Sequence, residues 1–271
     1  MSTSPTSVTS TFTVEKDFAG RQYVGSRERQ EDYYAFSDIS DDDAPQTQIL
    51  LGLGDGLGAH IGGNLASYFL ISQFVKAYKR NTLPPGWRLR SALEAANENL
   101  YRLSNRFAWD KPPMGSTFVG LSITANTLFW VSVGDSPFYL FREGKLTRLN
   151  ADHSFAPLLA ERVKAGQMTE EEAYSHPDRH VLQSACMGQP LTLVDNRADP
   201  FSLQGGDILL AASDGVLTLH GEEIEEILGS EMNSPAGAIA DALLFAIRSI
   251  DAPRQDNATV AVVKIPSATA E

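Results

Sequence analysis

The stretch QILLGLGDG, residues 48–56, is a short apolar run closed by Gly54, Asp55 and Gly56. A run of this length bounded by turn formers reads as a buried strand and not as a helix segment. Two other runs end the same way: WVSVGDS at 130–136 reaches Asp135, and LLAASDG at 209–215 reaches Asp214. In QDNATVAVV, 255–263, a fourth aspartate, Asp256, stands just before the last strand-like run. Working outward, 11–16, 21–25, 32–37, 116–124, 127–133, 137–142, 145–149, 191–195, 207–212 and 258–265 are predicted strands. Ala66, Leu70, Phe74 and Ala77 share one stripe of a helix over 62–79, and Tyr68, Ile71, Val75 and Tyr78 share another, so the helix is expected to be covered on most sides. Leu89, Leu93, Ala96, Leu100, Leu103 and Phe107 share one stripe of a helix over 88–107, with Pro84-Pro85-Gly86 between the two. A last helix over 235–248 carries Ser234 as its cap, Pro235 at its first position, and Ile239, Leu243 and Ile247 on its inner face. Strands dominate, helices come in two blocks, and no β-helix-β alternation repeats. The pattern predicts an α+β fold: a central β-sandwich of two mainly antiparallel sheets covered by helices.

The remaining sequence sets limits. Residues 1–11 are Ser/Thr-rich and predict a disordered tail, leaving 12–266 as one domain. Within it, 152–185 shows short helical pieces, a capping box at Thr169-x-x-Glu172, and little apolar periodicity. The chain has 271 residues, 42% hydrophobic and 21% charged, an ordinary globular composition. Its 34 acidic and 22 basic residues give a net charge of −12, which argues against nucleic acid or an anionic membrane as partner. The single Cys186 excludes an internal disulfide and a thiolate zinc cluster. The longest apolar run, Leu128–Val133 interrupted by Ser132, is too short to span a bilayer, and the N-terminus has no signal-peptide pattern. A cytoplasmic protein is expected.

Aspartates at the mouths of core strands are rigidly held, and clustering them is costly unless a cation sits between them. Oxygen donors without a Cys or His cluster favour Mg²⁺ or Mn²⁺ over zinc. Against this stands ordinary turn chemistry, since any single Asp-Gly after a strand needs no further explanation. Competing motifs are weaker. Gly54-Asp55-Gly56-Leu57-Gly58-Ala59 mimics a dinucleotide fingerprint, but Lys79 and Arg80 stand where an acidic residue is required. Pro177 between His176 and His180 disfavours a shared helix face for zinc, and Cys186 has no activating partner near it in sequence.

Seven segments, in order, resemble the metal-dependent protein serine/threonine phosphatases of type 2C, the PPM family, in their bacterial form. They are Arg27-x-x-x-Glu31-Asp32; Asp55-Gly56-Leu57-Gly58-x-His60 with Gly63 and Ala66-Ser67; Gly115-Ser116-Thr117; Gly134-Asp135-Ser136; Asp152-His153-Ser154; Ser213-Asp214-Gly215; and Asp256-Asn257-Ala258-Thr259. The resemblance covers about residues 20–265 and implies two central antiparallel sheets flanked by helix pairs. It implies that Asp55 bridges two Mn²⁺ or Mg²⁺ ions, with the Gly56 carbonyl on one and Asp214 and Asp256 on the other. Glu31 and Asp32 would act directly or through water, and Asp135 with Asp214 would form a third metal site. Arg27 would grip the substrate phosphate; its alternative is a surface charge beside Glu28 and Glu31. Two such ions lower the pKa of a bridging water, so that hydroxide attacks phosphorus in line.

The implied activity is hydrolysis of phosphoserine and phosphothreonine in proteins, including targets of a cognate serine/threonine kinase. The alternatives are a phosphatase dedicated to one partner-switching regulator and a pseudophosphatase that only binds phosphoproteins. Residues 152–185 correspond to the family's flap. The sequence departs from the family at Leu57, where eukaryotic relatives often carry a histidine and bacterial ones methionine. It departs also at Ala59, Pro137 and Gln30. None of these positions supplies a ligand.

Overall fold

The computed structural model describes residues 12–40, 48–58, 62–107 and 114–267, so residues 1–11 and His60 lie outside the described residues. The chain begins with β1 (Phe18–Tyr23), β2 (Tyr33–Asp38), β3 (Ile49–Gly54) and the short β4 (Gly56–Leu57). Helices α1 (Gly62–Arg80) and α2 (Pro85–Phe107) follow, then β5 (Gly115–Ser116), β6 (Phe118–Ile123), β7 (Thr127–Val133), β8 (Phe138–Arg142) and β9 (Lys145–Arg148). Two short helices come next, α3 (Ala156–Lys164) and α4 (Glu170–Tyr174), leading to β10 (Asp195–Ser202) and β11 (Ile208–Ala212). A 3-10 turn at Asp214–Thr218, α5 (Gly221–Ser230), α6 (Ala236–Ile250) and β12 (Ala258–Lys264) complete the described chain.

The strands form two five-stranded antiparallel sheets, ordered β1-β12-β11-β8-β9 and β10-β7-β6-β3-β2, with β4 and β5 paired separately. Side-chain alternation then sorts the core into three layers. Leu51, Leu53, Leu121, Leu209, Ala211, Ala261 and Val263 meet between the sheets. Leu210, Ala212, Val260 and Val262 face Ile239, Leu243 and Ile247 of α6. Leu50, Phe118 and Val131 face Leu70, Phe74, Leu89 and Leu93 of α1 and α2. Helices therefore cover the outer face of each sheet. This is why β3, β6 and β11 are buried at every residue, and why their sequences show continuous apolar runs in place of alternation.

Four expectations need correction. Of the strand expected at 11–16, the described residues 12–16 form none: Val14 makes a single bridge to Phe18, and Glu15 takes a left-handed conformation. The strand expected at 191–195 lies at Asp195–Ser202, an edge strand whose register slips between Arg197 and Phe201 and so tolerates Pro200. Helix α2 begins at Pro85, not at residue 88, because proline suits a first turn whose N–H would lack a partner. Ser234 does not cap α6; its hydroxyl donates to Glu231 Oε2, and Pro235 occupies the cap. Among the described residues no helix is long and apolar enough to cross a membrane.

Candidate metal centre

Antiparallel pairing carries the marked residues to one end of the sandwich. Tyr33 pairs with Gly54, so Asp32 before β2 meets Asp55 after β3. Ala212 pairs with Val260 and Tyr23 with Ala258, so Asp214, Asp256 and Arg27 gather at the same end of the other sheet. Val133 pairs with Phe118, beside β3, which brings Asp135 to this edge. Two aspartates thus follow strands of one sheet, and two flank strands of the other.

The four acidic groups nearest the centre perturb one another. Burial first, then the charges of Asp32, Asp214, Asp135 and Asp256, push the Asp55 carboxyl well above the usual carboxylate range. Burial and the charge of Asp256 raise Asp214, with a hydrogen bond from Asp55 acting the other way. Asp135 is raised to about 7 by burial and the neighbouring Asp214 and Asp152. Asp32, only 4% exposed, is raised to about 6 by burial, although Thr259 Oγ1 and Ser213 Oγ each donate to its Oδ2 at 2.7 Å. Glu31 is raised chiefly by desolvation.

The surrounding hydrogen bonds fix these groups. Thr117 Oγ1 accepts from the Asp55 N–H at 2.9 Å and lies 2.7 Å from Ser136 Oγ. Asn257 Oδ1 accepts from the Glu31 N–H at 2.7 Å, while its amide nitrogen donates to the carbonyls of Val24 and Arg29. The Gly56 N–H donates to the Glu31 carbonyl at 3.1 Å. A Cβ at Gly56 would collide with the carbonyl oxygens of Gly63 and Glu31, and one at Gly215 with that of Asn257. These two glycines permit close backbone approach, and neither has a positive φ. Ser213, Thr259, Asn257, Thr117 and Ser136 all lie inside the quoted motifs, which was the available signal for these supporting roles.

Arg27, with its side chain 58% exposed, donates from Nη2 to Asp256 Oδ2 at 2.6 Å, at the rim of the cluster. Among the described residues no three His, Cys, Asp or Glu side chains are placed to hold a metal ion together as they stand. The donor set nevertheless suits a hard divalent cation. It consists of carboxylates, and Asp32 Oδ1 and Asp214 Oδ1 are buried with no hydrogen-bond partner from the protein. His176 and His180 join no such group among the described residues, and Cys186 is fully buried, with burial pushing its thiol above the usual range.

Two helix-covered antiparallel sheets with carboxylates at one end fit the architecture that the resemblance implies, and relatives more than 30% identical show that the chain belongs to the 2C-type phosphatase family in its bacterial form. No protein-family model matches it. It is 32% identical over 187 residues to a putative protein phosphatase 2C-type of Streptococcus pyogenes, covering 67% of this chain and 73% of the relative. It is 31% identical over 234 residues to protein phosphatase PhpP of Streptococcus pneumoniae, covering 84% and 89%. Its fold superposes on the catalytic domain of serine/threonine protein phosphatase PstP, solved with two manganese ions. That match has a TM-score of 0.70 and 27% identity, covering 91% of this chain and 96% of that one.

Proposed function

We propose that this chain hydrolyses phosphoserine and phosphothreonine in cytoplasmic proteins, including the targets of a cognate serine/threonine kinase, using two or three Mn²⁺ or Mg²⁺ ions. The observation that carries the reading is the buried Asp55–Asp214 pair, with Asp214 Oδ1 and the adjacent Asp32 Oδ1 unpartnered. Asp55, the Gly56 carbonyl, Asp214 and Asp256 would hold two ions, Asp135 with Asp214 a third, and Glu31 and Asp32 would bind directly or through water. Such ions supply an activated water and neutralise the phosphoryl oxygens.

The chain's own groups do the rest. Arg27 offers a planar fork to a phosphate, and its bond to Asp256 keeps it at the mouth of the site. Thr117 and Asn257 orient Asp55 and Glu31 through their backbone N–H groups. Leu57 has no proton to give, so this position is not the general acid for the leaving alcohol. The test is steady turnover of p-nitrophenyl phosphate and a phosphopeptide that requires added Mn²⁺. Arg27→Ala should raise KM for p-nitrophenyl phosphate about tenfold. No turnover with retained phosphopeptide binding would make the chain a binding protein, and an unchanged KM and kcat would reduce Arg27 to a surface charge.

A further inference from the structure

Asp135 follows β7 by two residues. It sits in the turn between β7 and β8, beside Asp214 and Asp152, whose charges oppose its own. The turn opens with Gly134 at a φ of +99°, and Pro137 brings no N–H to bind it. One short segment, residues 148–153, supplies most of the bonds that hold this turn. Asn150, 6% exposed, spans it from end to end. Its Oδ1 accepts from the Phe138 N–H at 2.8 Å, and its Nδ2 donates to the Ser136 carbonyl at 3.0 Å and to Ser132 Oγ at 3.2 Å. Arg148 Nη2 donates to the Asp135 carbonyl at 2.8 Å, Arg148 Nε to Asn150 Oδ1 at 3.3 Å, and Arg148 Nη1 to Asp152 Oδ2 at 3.3 Å. On the other flank, His153 Nδ1 accepts from the Gly134 N–H at 3.2 Å, and the His153 N–H donates to the Gly134 carbonyl.

From this bonding we infer that Asn150, assisted by Arg148, is a positioning residue for catalysis: it holds the Asp135 turn so that the Asp135 carboxylate stays against Asp214. The inference rests on the proposal that Asp135 serves the metal centre. An amide is required because the position must donate and accept at once. Alanine does neither, and a carboxylate would present no donor to the Ser136 carbonyl. Residues 181–183 bond back to 153–155, so the segment that grips Asp135 is also the base from which α3 and α4 extend.

The experiment is a double-mutant cycle on the full chain with Asn150→Ala, Asp135→Asn and the pair. It is read by p-nitrophenyl phosphate kinetics and by calorimetric titration of Mn²⁺ alone. Asn150→Ala should lower kcat about tenfold with KM within about twofold, and should weaken or abolish the weakest Mn²⁺ binding event. In the Asp135→Asn background the same substitution should change kcat less than about twofold, because its route is already cut. An equal loss in both backgrounds, or a wild-type Mn²⁺ titration, overturns the inference. If Asn150→Ala does not fold, Arg148→Met, at a partly exposed side chain, takes its place in the same cycle with a smaller effect in the same direction. Asp135→Asn with wild-type turnover and titration would remove the reading of Asp135 and the inference with it. An impaired Asp135→Asn beside an unaffected Asn150→Ala would remove the inference alone.

Discussion

The carboxylate end of the sandwich and the segment 152–185 are neighbours built on opposite terms. Asp32, Asp55, Asp135 and Asp214 sit at the ends of strands or beside them, and helices cover both sheets. Each stays in place despite mutual repulsion because the backbone around it is fixed by ladders and by buried Ser, Thr and Asn side chains. In the second region, α3 buries only Leu159 and α4 only Ala173, while Tyr174 is 70% exposed. Between the two helices lies a groove of about 770 Å³, lined among others by Leu159, Ala160, Val163, Ala173, Tyr174 and Arg179. Chemistry that needs charges held against each other is built where the fold over-determines the backbone. Contacts that can vary sit on local structure.

The largest expected effect tests the first half of that contrast. Asp55→Asn and Asp214→Asn should each cost about a hundredfold or more in kcat, since each removes a charge that would stabilise the cations. Both variants should remain folded, and in EDTA both should melt no lower than wild type, because the substitution relieves repulsion between buried carboxylates. Loss of cooperative unfolding in metal-free buffer would make these aspartates structural. The second prediction tests the other half. Replacing residues 156–180 by a short Gly/Ser linker is geometrically mild, because the Phe155 N–H already bonds the Val181 carbonyl at 2.9 Å. Phosphopeptide kcat/KM should fall about tenfold or more, with p-nitrophenyl phosphate turnover within about twofold. Equal losses on both substrates would erase the distinction between the regions.

A smaller effect follows from the raised carboxyls. Asp32 and Asp135 have ordinary values of 3.8 in the unfolded chain and about 6 and about 7 in the folded one. Between these limits the folded state binds more protons than the unfolded state, so stability falls as pH rises. In EDTA the midpoint of thermal unfolding should drop from pH 5 to pH 8. Asp135→Asn should show a shallower drop, and saturating Mn²⁺ should flatten it, because the cation takes over the protons' role. A midpoint that climbs over this range in metal-free protein would contradict the clustering.

The sequence made the sandwich readable because its core strands are covered on both faces. The runs at 49–54, 208–212 and 258–264 needed no partner to be recognised, and Leu70 and Phe74 of α1 and Ile239, Leu243 and Ile247 of α6 point inward as expected, whereas Tyr68 of α1 is exposed. Strand β10 was misjudged because its residues, DNRADPFS, are mostly polar; it exists by pairing with β7 at an edge, which no local signal records. Helix α5 was not recognised because His220 is an uncommon cap, although the His220 N–H donates to Glu223 Oε2 at 2.7 Å in a capping-box arrangement. At the site, the motifs gave the aspartates but could not give their convergence, which depends on strand register across two sheets. Asn150 carried no signal at all. It lies two residues ahead of Asp152-His153-Ser154, and its role exists only through the turn it spans.

The smallest effect is expected where the second region stabilises itself. Helix α4 has five residues and begins in a complete capping box: Thr169 Oγ1 accepts from the Glu172 N–H at 3.1 Å, and the Thr169 N–H donates to Glu172 Oε2 at 2.7 Å. So short a helix has little else to hold it, and α4 packs mainly on α3. Thr169→Ala should therefore cost about 1 kcal/mol locally. That appears as about fivefold faster amide exchange over residues 170–175, while the global unfolding midpoint stays within error, since opening here need not involve the sandwich. Mn²⁺ titration and p-nitrophenyl phosphate turnover should match wild type, and phosphopeptide KM should rise about two- to threefold if α4 must be formed to seat the peptide. A fall in the global midpoint comparable to the local loss would show that α4 unfolds together with the sandwich, and the two regions would then be one cooperative unit.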